Sequence, residues 1–374
     1  MLQFDRRLLE NFDWVLVFAV LLVSGCGLAN LYSATYHGLG GGFAVFLKQL
    51  FYFGVGFVCA FLLLTFDYRS LHTASYWIYG GAVLLLVIAL IGGRSIANTQ
   101  RWIDLGFFNL QPSEPAKLAI IVFLASYYAR KDTGDGFGFT DILYPGFLTL
   151  IPVALIIKQP DLGTAMMFVF VFISITLFMG LRWSAVGILA ALGGGVAFIG
   201  YKFLLKPYQL QRIKTFLDPE SDPLKTGYHI MQSKIAVGSG LKFGKGWLHG
   251  TQVHLDFLPE RHTDFAFSVW GEEFGFLGCL IFLACYFFFI LWCLNVAVSA
   301  RDKFGVVLGF GIVTLIFWQA VINMGMVIGL LPVVGMPLPL FSYGGSSLLT
   351  TMVGVGLLMN IRIRRFMKPP RKQQ

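Results

Sequence analysis

The sequence predicts an all-α polytopic membrane protein, and three observations carry that prediction. Charged residues make up 13% of the 374-residue chain and hydrophobic residues 57%, whereas soluble domains carry about 25% charged residues. Mean hydropathy is +0.74. The apolar residues gather into repeated runs of about 20 residues, the length at which a helix crosses a bilayer core. Lipid cannot hydrogen-bond a bare backbone, so each run is predicted to be helical.

The predicted spans are ten: 13–33, 47–66, 75–93, 113–129, 142–157, 162–180, 184–205, 264–298, 304–330 and 339–361. Segment 1–12 ahead of the first is polar, and that run has no small-residue cleavage site, so it reads as a retained span. The fourth opens at "QPSEPAK", where Ser113 suits a helix start and Pro115 is tolerated in the first turn. The sixth follows the short turn in "KQPDLGTA", with Pro160 starting the helix and Asp161 placed to meet its dipole. The eighth run exceeds one crossing, and "WGEEFG", Trp270 to Gly275, divides it into a short amphipathic lead-in and a true span. The tenth carries "FSYGGSS", whose small residues suit close helix approach; Ser346 is the candidate contact there if the run lines a pocket. Five cysteines, all inside apolar runs, read as small hydrophobes.

Orientation follows from lysine and arginine. With the N-terminus in the cytoplasm, that side holds Arg6, Arg7, Arg69, Arg130, Lys131, Arg182, Arg301, Lys303 and six cations of the basic tail 362–374. The short loops of the other side hold Lys48, Arg94, Arg101 and Lys158. Both termini are therefore expected in the cytoplasm. The same asymmetry accounts for a pI near 9.3 without nucleic acid.

Two outer segments stand apart. Residues 94–112 are polar around Trp102, which suits an interface anchor or a platform for a sugar or lipid phosphate. Residues 206–263, between the seventh and eighth spans, form a long extracytoplasmic loop with enough aromatic and aliphatic residues to order. Short helices on the outer membrane surface are expected there. The whole chain, 1–374, reads as one integral membrane domain.

Several charges sit where an oily chain would avoid them. Glu260, Arg261, His262 and Asp264 crowd the start of the eighth run. Asp264 is either a helix N-cap or a carboxylate whose pKa is raised towards working range at the lipid boundary. Glu114 and Lys117, three residues apart, share a helix face and form either a structural pair or a head-group site. The run 225–249 holds four lysines and no acid, and Gly238, Gly240, Gly244 and Gly246 free its backbone to turn N–H groups towards an anion; attraction to anionic lipid is the simpler alternative. No nucleotide, zinc or nucleophile-elbow motif is present, so any substrate must arrive already activated.

Five motifs in order, "RWIDLGFFNLQPSEPAK", "KQPDLGTA", "GYHIMQSKIAVGSGLKFGKGW", "LPERHTDFAFSVWGEEFG" and "LPLFSYGGSS", resemble the signatures of the shape, elongation, division and sporulation (SEDS) family. The likeness spans nearly the whole chain, and "LPERHTDF" is most similar to the elongation branch. The resemblance implies a peptidoglycan glycosyltransferase of the bacterial inner membrane, with its active site facing the periplasm. It would polymerise lipid II onto a growing glycan strand beside a class B penicillin-binding protein and other elongation proteins. The family's essential outer aspartate falls on Asp264, its outer tryptophan on Trp102, and its paired charges on Glu114 and Lys117. Asp264 would act as general base in an inverting displacement of undecaprenyl diphosphate. Arg101, Lys117, Arg212 and Lys234 are the cations that could meet the diphosphate, and Asp161 is carried as a further substrate contact. The resemblance also implies a divalent cation, Mg2+ or Mn2+, for which the sequence offers no compact carboxylate cluster. Competing readings are a flippase for the same lipid-linked precursor and an inert scaffold for a penicillin-binding protein.

Overall fold

The computed structural model describes residues 12–36, 42–96, 99–104, 106, 109–131, 136–199, 207–218, 226–254 and 260–365. The polar N-terminal segment, except Phe12, and most of the basic tail lie outside these residues.

A helix lies over each predicted span. In order these are α1 (Trp14–Tyr36), α2 (Gly42–Thr65), α3 (Ser70–Gly92), α4 (Ser113–Arg130), α5 (Phe139–Lys158), α6 (Leu162–Phe178) and α7 (Trp183–Ile199). After three short helices, α8 (Pro207–Leu217), α9 (Thr226–Ser239) and α10 (Thr251–His254), come α11 (Ala266–Val298), α12 (Lys303–Val327) and α13 (Gly345–Arg364). Seven of them are long and apolar enough to cross a membrane. The last span starts later than predicted, because Leu340 takes φ +64° and the chain turns through 338–344 before α13 begins.

The chain is nearly all helical, as expected, and one small sheet interrupts it. Arg94–Ile96, Thr99–Asp104 and Asn109–Leu110 form a small antiparallel sheet, β1-β2-β3. Strands this short are marginal alone. They are held by packing of β2 on α3 and β3 on α13, and by Ser346, whose hydroxyl donates to the Asn109 carbonyl at 3.0 Å and accepts from the Gln111 amide at 3.2 Å.

The centre of the bundle is α4 and α12, both largely buried, with α11, α6 and α3 packed around them. Buried amides tie distant segments where no water is available to compete. Asn30 donates to the Ala266 carbonyl at 2.9 Å and Asn360 to the Phe66 carbonyl at 2.7 Å. Gln49 donates to the Ser342 carbonyl at 3.3 Å and accepts from the Gly344 amide at 3.3 Å, which fixes the turn ahead of α13.

The predicted break in the eighth run falls at Gly275, which takes φ 63° and ψ −164° inside α11. The lead-in before it is not a surface amphipath. Ala266 to Glu273 is buried, and the chain from Gly240 to Gln252 is bonded onto the break. The Lys245 and Gly246 amides donate to the Glu272 and Glu273 carbonyls at 3.0 and 2.9 Å, while the Phe276 and Leu277 amides donate back to Leu241 and Lys242 at 2.8 and 3.1 Å. Of the four glycines predicted to cradle an anion, Gly240, Gly244 and Gly246 serve this docking, while Gly238 lies within α9. A Cβ on Gly240 or Gly244 would collide with the Gly271 or Glu273 carbonyl.

Candidate active site

The sequence scatters the candidate residues from Arg101 to Ser346, and the fold gathers most of them around one cavity. The cavity has a volume of about 360 Å³. Its walls include Arg101 and Trp102 from β2, Glu114 and Lys117 from the first turn of α4, and Asp161 and Thr164 from the start of α6. Asp264 enters from the turn before α11, Gln319 from α12, Gly335 to Pro337 from the α12–α13 connection, and Ser346 from α13.

Most of the charge is already neutralised in pairs. Lys117 Nζ lies 2.9 Å from Glu114 Oε1, with both side chains almost fully buried. Three residues on a helix bring the two within reach, and burial makes each depend on the other. Arg101 is triply engaged: it donates to the Gln159 and Pro160 carbonyls at 3.2 and 2.6 Å and pairs with Asp161 at 3.3 Å. Asp161 also caps α6 by accepting from the Thr164 amide at 3.1 Å. The predicted dipole role of Asp161 and its place in the cavity wall are therefore compatible. Pro160 lies in the turn and not in the helix that follows.

Asp264 is different. It is not the cap of α11, a position taken by Phe265 without a side-chain bond. Its backbone carbonyl accepts from Asn323 Nδ2 at 2.8 Å, and the same amide reaches the Met336 carbonyl at 2.6 Å. Asn323 thus ties the turn carrying Asp264 to the cavity wall. Burial, then the charges of Glu260 and Asp161, push the Asp264 carboxyl up from 3.8 to about 7, against the opposing pull of Arg212 and Arg101. A carboxyl so placed exchanges its proton near neutrality. Burial also pushes His262 below its ordinary value, so the neighbouring ring adds no charge to the site near neutral pH.

Two proposed cations are not brought to the wall. Arg212, from α8, donates to the Val333 carbonyl at 3.1 Å and acts on Asp264 through its field. Lys234 lies exposed on α9 with its stem over Gly329 and is not among the residues lining the cavity. Residues with no place in the sequence-based set also line or support the site. Gln319 and Asn323 are amides one turn apart on α12, buried at 2% and 0% exposure, and polar side chains inside a span are a signal that could have found them. Gly335, at φ +72°, has its missing Cβ position 3.3 Å from Asp264 Oδ2; nothing local in the sequence points to it.

The expected divalent cation has no cage among the described residues, where no group of three or more His, Cys, Asp or Glu could hold one. Glu114 and Asp161 already have cationic partners. Mg2+ is commonly held by one or two carboxylates plus substrate phosphates, and here most ligands would have to come from the substrate.

Comparison with known proteins gives the chain its family. The FTSW_RODA_SPOVE family model, described as cell cycle protein, matches residues 13–366. The peptidoglycan glycosyltransferase MrdB of Escherichia coli (strain K12) is 44% identical over 291 residues, 78% of each chain. The peptidoglycan glycosyltransferase RodA of Treponema pallidum (strain Nichols) is 32% identical, covering 96% of this chain and 99% of its own. Among solved structures, one reported under "Structural coordination of polymerization and crosslinking by a peptidoglycan synthase complex" superposes with a TM-score of 0.82 at 32% identity, covering 96% of this chain and 99% of that one. The crystal structure of the Thermus thermophilus rod shape determining protein RodA superposes at 0.71 with 31% identity, covering 96% and 98%.

Proposed function

This chain belongs to the FtsW/RodA/SpoVE family and is a RodA-like, multi-pass peptidoglycan glycosyltransferase, and from that premise we propose how it polymerises its substrate. The substrate is lipid II, a disaccharide-pentapeptide carried on undecaprenyl diphosphate. Asp264 is the general base. It takes the proton from the 4-hydroxyl of an acceptor GlcNAc as that oxygen attacks the anomeric carbon of a MurNAc. The bond to the lipid diphosphate breaks in the same step, and the α-linkage becomes β. No covalent enzyme intermediate is needed.

The observation that carries this reading is the carboxyl of Asp264, held on the cavity wall with its pKa raised to about 7. A base is most effective with a pKa near the working pH. Trp102 offers a face for a sugar, Ser346 and Asp161 polar contacts, and the Glu114–Lys117 pair a site where a phosphate oxygen meets the ammonium while a hydroxyl meets the carboxylate. Arg101 and Arg212 add positive field for the departing diphosphate. A divalent cation, if the reaction uses one, would have to draw most of its ligands from the substrate, because Glu114 and Asp161 already have cationic partners, and it would supply charge neutralisation for the leaving diphosphate; no step above depends on it. The cavity end faces the periplasm and both termini the cytoplasm, on the lysine and arginine distribution. The transpeptidase partner is a class B penicillin-binding protein, supported by the likeness to a peptidoglycan synthase complex.

The test is polymerisation of lipid II by the purified protein with that partner, wild type beside Asp264→Asn. The variant should fold, bind the partner and make no glycan polymer. Unchanged chain growth by Asp264→Asn removes the residue as base. Movement of the lipid across vesicles without polymer would favour the flippase, and neither activity would leave the scaffold.

A further inference from the structure

Among the described residues, the buried amide side chains are committed to the backbone, with one exception. Asn30, Gln49, Gln159, Asn323 and Asn360 each donate to a main-chain carbonyl, at 2.9, 3.3, 3.0, 2.6 and 2.7 Å. Gln319 does not. It is 2% exposed, its side-chain amide forms no hydrogen bond among the described residues, and it lines the Asp264 cavity. A buried amide left without a partner is costly. A residue needed only to pack α12 against α4, α6 and α11 would be better served by leucine or methionine. An unpaired polar group on a cavity wall calls for a partner from outside the chain.

Position and chemistry narrow what that partner is. Gln319 lies one turn, roughly 6 Å, further into α12 than Asn323, whose amide holds the Asp264 carbonyl at 2.8 Å. It therefore belongs to the part of the wall next to the reacting centre. The charged groups of the cavity, Arg101, Glu114, Lys117 and Asp161, cannot duplicate its bonding. A carboxylate only accepts and an ammonium or guanidinium only donates, whereas a primary amide does both. Its natural complement is a second amide.

Both sugars of lipid II carry one, the 2-acetamido group. On the MurNAc under attack it stands on the carbon next to the anomeric carbon. On the acceptor GlcNAc it stands two carbons from the attacking 4-hydroxyl. We propose that Gln319 reads the 2-acetamido group of that MurNAc, donating to its carbonyl and accepting from its N–H. The proposal rests on the polymerisation reading above and deepens it, because it makes Gln319 a specificity residue for a 2-acetamido sugar in the electrophilic position. The side chain binds and orients; it neither gives nor takes a proton.

Two analogues of lipid II test this, one with a hydroxyl in place of the MurNAc acetamido group and one with the same change on GlcNAc. Polymerisation by the full chain with its partner gives kcat/KM for each. Wild type should favour lipid II over the MurNAc analogue about a hundredfold or more, since a site built to hydrogen-bond a group rejects the analogue lacking it. Gln319→Met should lower kcat/KM on lipid II about tenfold or more and leave the MurNAc analogue nearly unaffected, so that the preference collapses. The GlcNAc analogue should lose as much as lipid II does. Gln319→Asn, with its amide withdrawn by one methylene, stands in if the methionine variant does not fold, and should also lower the preference. Equal losses on lipid II and the MurNAc analogue would assign the residue to packing and overturn the proposal, as would unchanged kinetics on both. A collapse confined to the GlcNAc analogue would move the contact to the acceptor and overturn it too. A binding readout keeps this result separate from the assignment of the reaction. Native mass spectrometry in the Asp264→Asn background should show retention of lipid II over the MurNAc analogue, lost on adding Gln319→Met, whether or not wild type makes polymer. Equal retention of the two before Gln319 is changed overturns the proposal by itself.

Discussion

Asp264 works through charges that do not touch it, and this gives its titration a handle. Glu260 raises its pKa and Arg212 lowers it. A general base must be deprotonated, so polymerisation should rise with pH through about 7. Glu260→Gln removes a repelling charge and should move that rise to lower pH; Arg212→Gln removes an attracting one and should move it to higher pH. Rate profiles for the three proteins check the signs, and parallel shifts would sink the assignment. Gly335 tests position where charge is unaltered. Alanine there meets both a left-handed backbone at φ +72° and a carboxyl oxygen 3.3 Å from its Cβ. Strain of this kind costs about 1–2 kcal/mol. Gly335→Ala should lower the melting temperature modestly and turnover more severely, because the displaced group is the base itself.

The element that places the base is the buried first part of α11, and its geometry depends on the segment docked over Gly275. Lys245 pairs with Glu272 at 2.7 Å, and Thr251 and the Gln252 amide bind the same oxygen at 3.1 and 3.0 Å. Glu272 has no exposed surface, so losing these partners would leave a buried charge uncompensated, a large penalty. The glycines of this segment separate into two kinds. Gly244 has φ +78° and its Cβ would strike Glu273, whereas Gly238 lies in helix α9 with nothing within 4 Å. Gly244→Ala should open the segment to protease and reduce polymerisation; Gly238→Ala should be neutral or slightly stabilising, since alanine gains about 0.5–1 kcal/mol over glycine inside a helix. Limited proteolysis of both variants reads the difference. Equal sensitivity would mean that the docking is not what orders the segment.

For the whole molecule, the division between what was legible and what was not follows from the range of the interactions. Each span satisfies its backbone within itself, so hydropathy and length revealed the helices one at a time. Glu114, Lys117 and Asp264 are legible because charge at a lipid boundary is anomalous, and Trp102 because it is the aromatic at the centre of a polar outer segment. The sheet at 94–110 escaped notice because its stability is borrowed from α3 and α13. The docking of Gly240–Gln252 rests on backbone bonds to residues about 30 positions away in the chain, which leave no trace in side-chain pattern; hence the glycines read as an anion cradle. Lys234 stands out in the sequence by charge alone, and charge does not reveal whether a side chain reaches a cavity.

One consequence of this placement belongs to the molecule as a whole. The native Asp264 carboxyl binds its proton up to about pH 7, while the unfolded one releases it near 3.8. Between those values the native state holds more protons, so this residue makes stability fall as pH rises, with the loss complete above about 7. Each unit of raised pKa is worth about 1.4 kcal/mol, reduced here because the side chain keeps some contact with solvent in the cavity. The protein is therefore least stable, on this account, in the range where its base is ready to act. Asp264→Asn removes the titration while keeping the shape. Its melting temperature in detergent should exceed that of wild type at about pH 8, with the gap closing towards about pH 5, where the wild-type carboxyl is protonated. A gap that stays constant across that range would mean that the carboxyl titrates as an ordinary surface acid, and the base would then need another source for its activation.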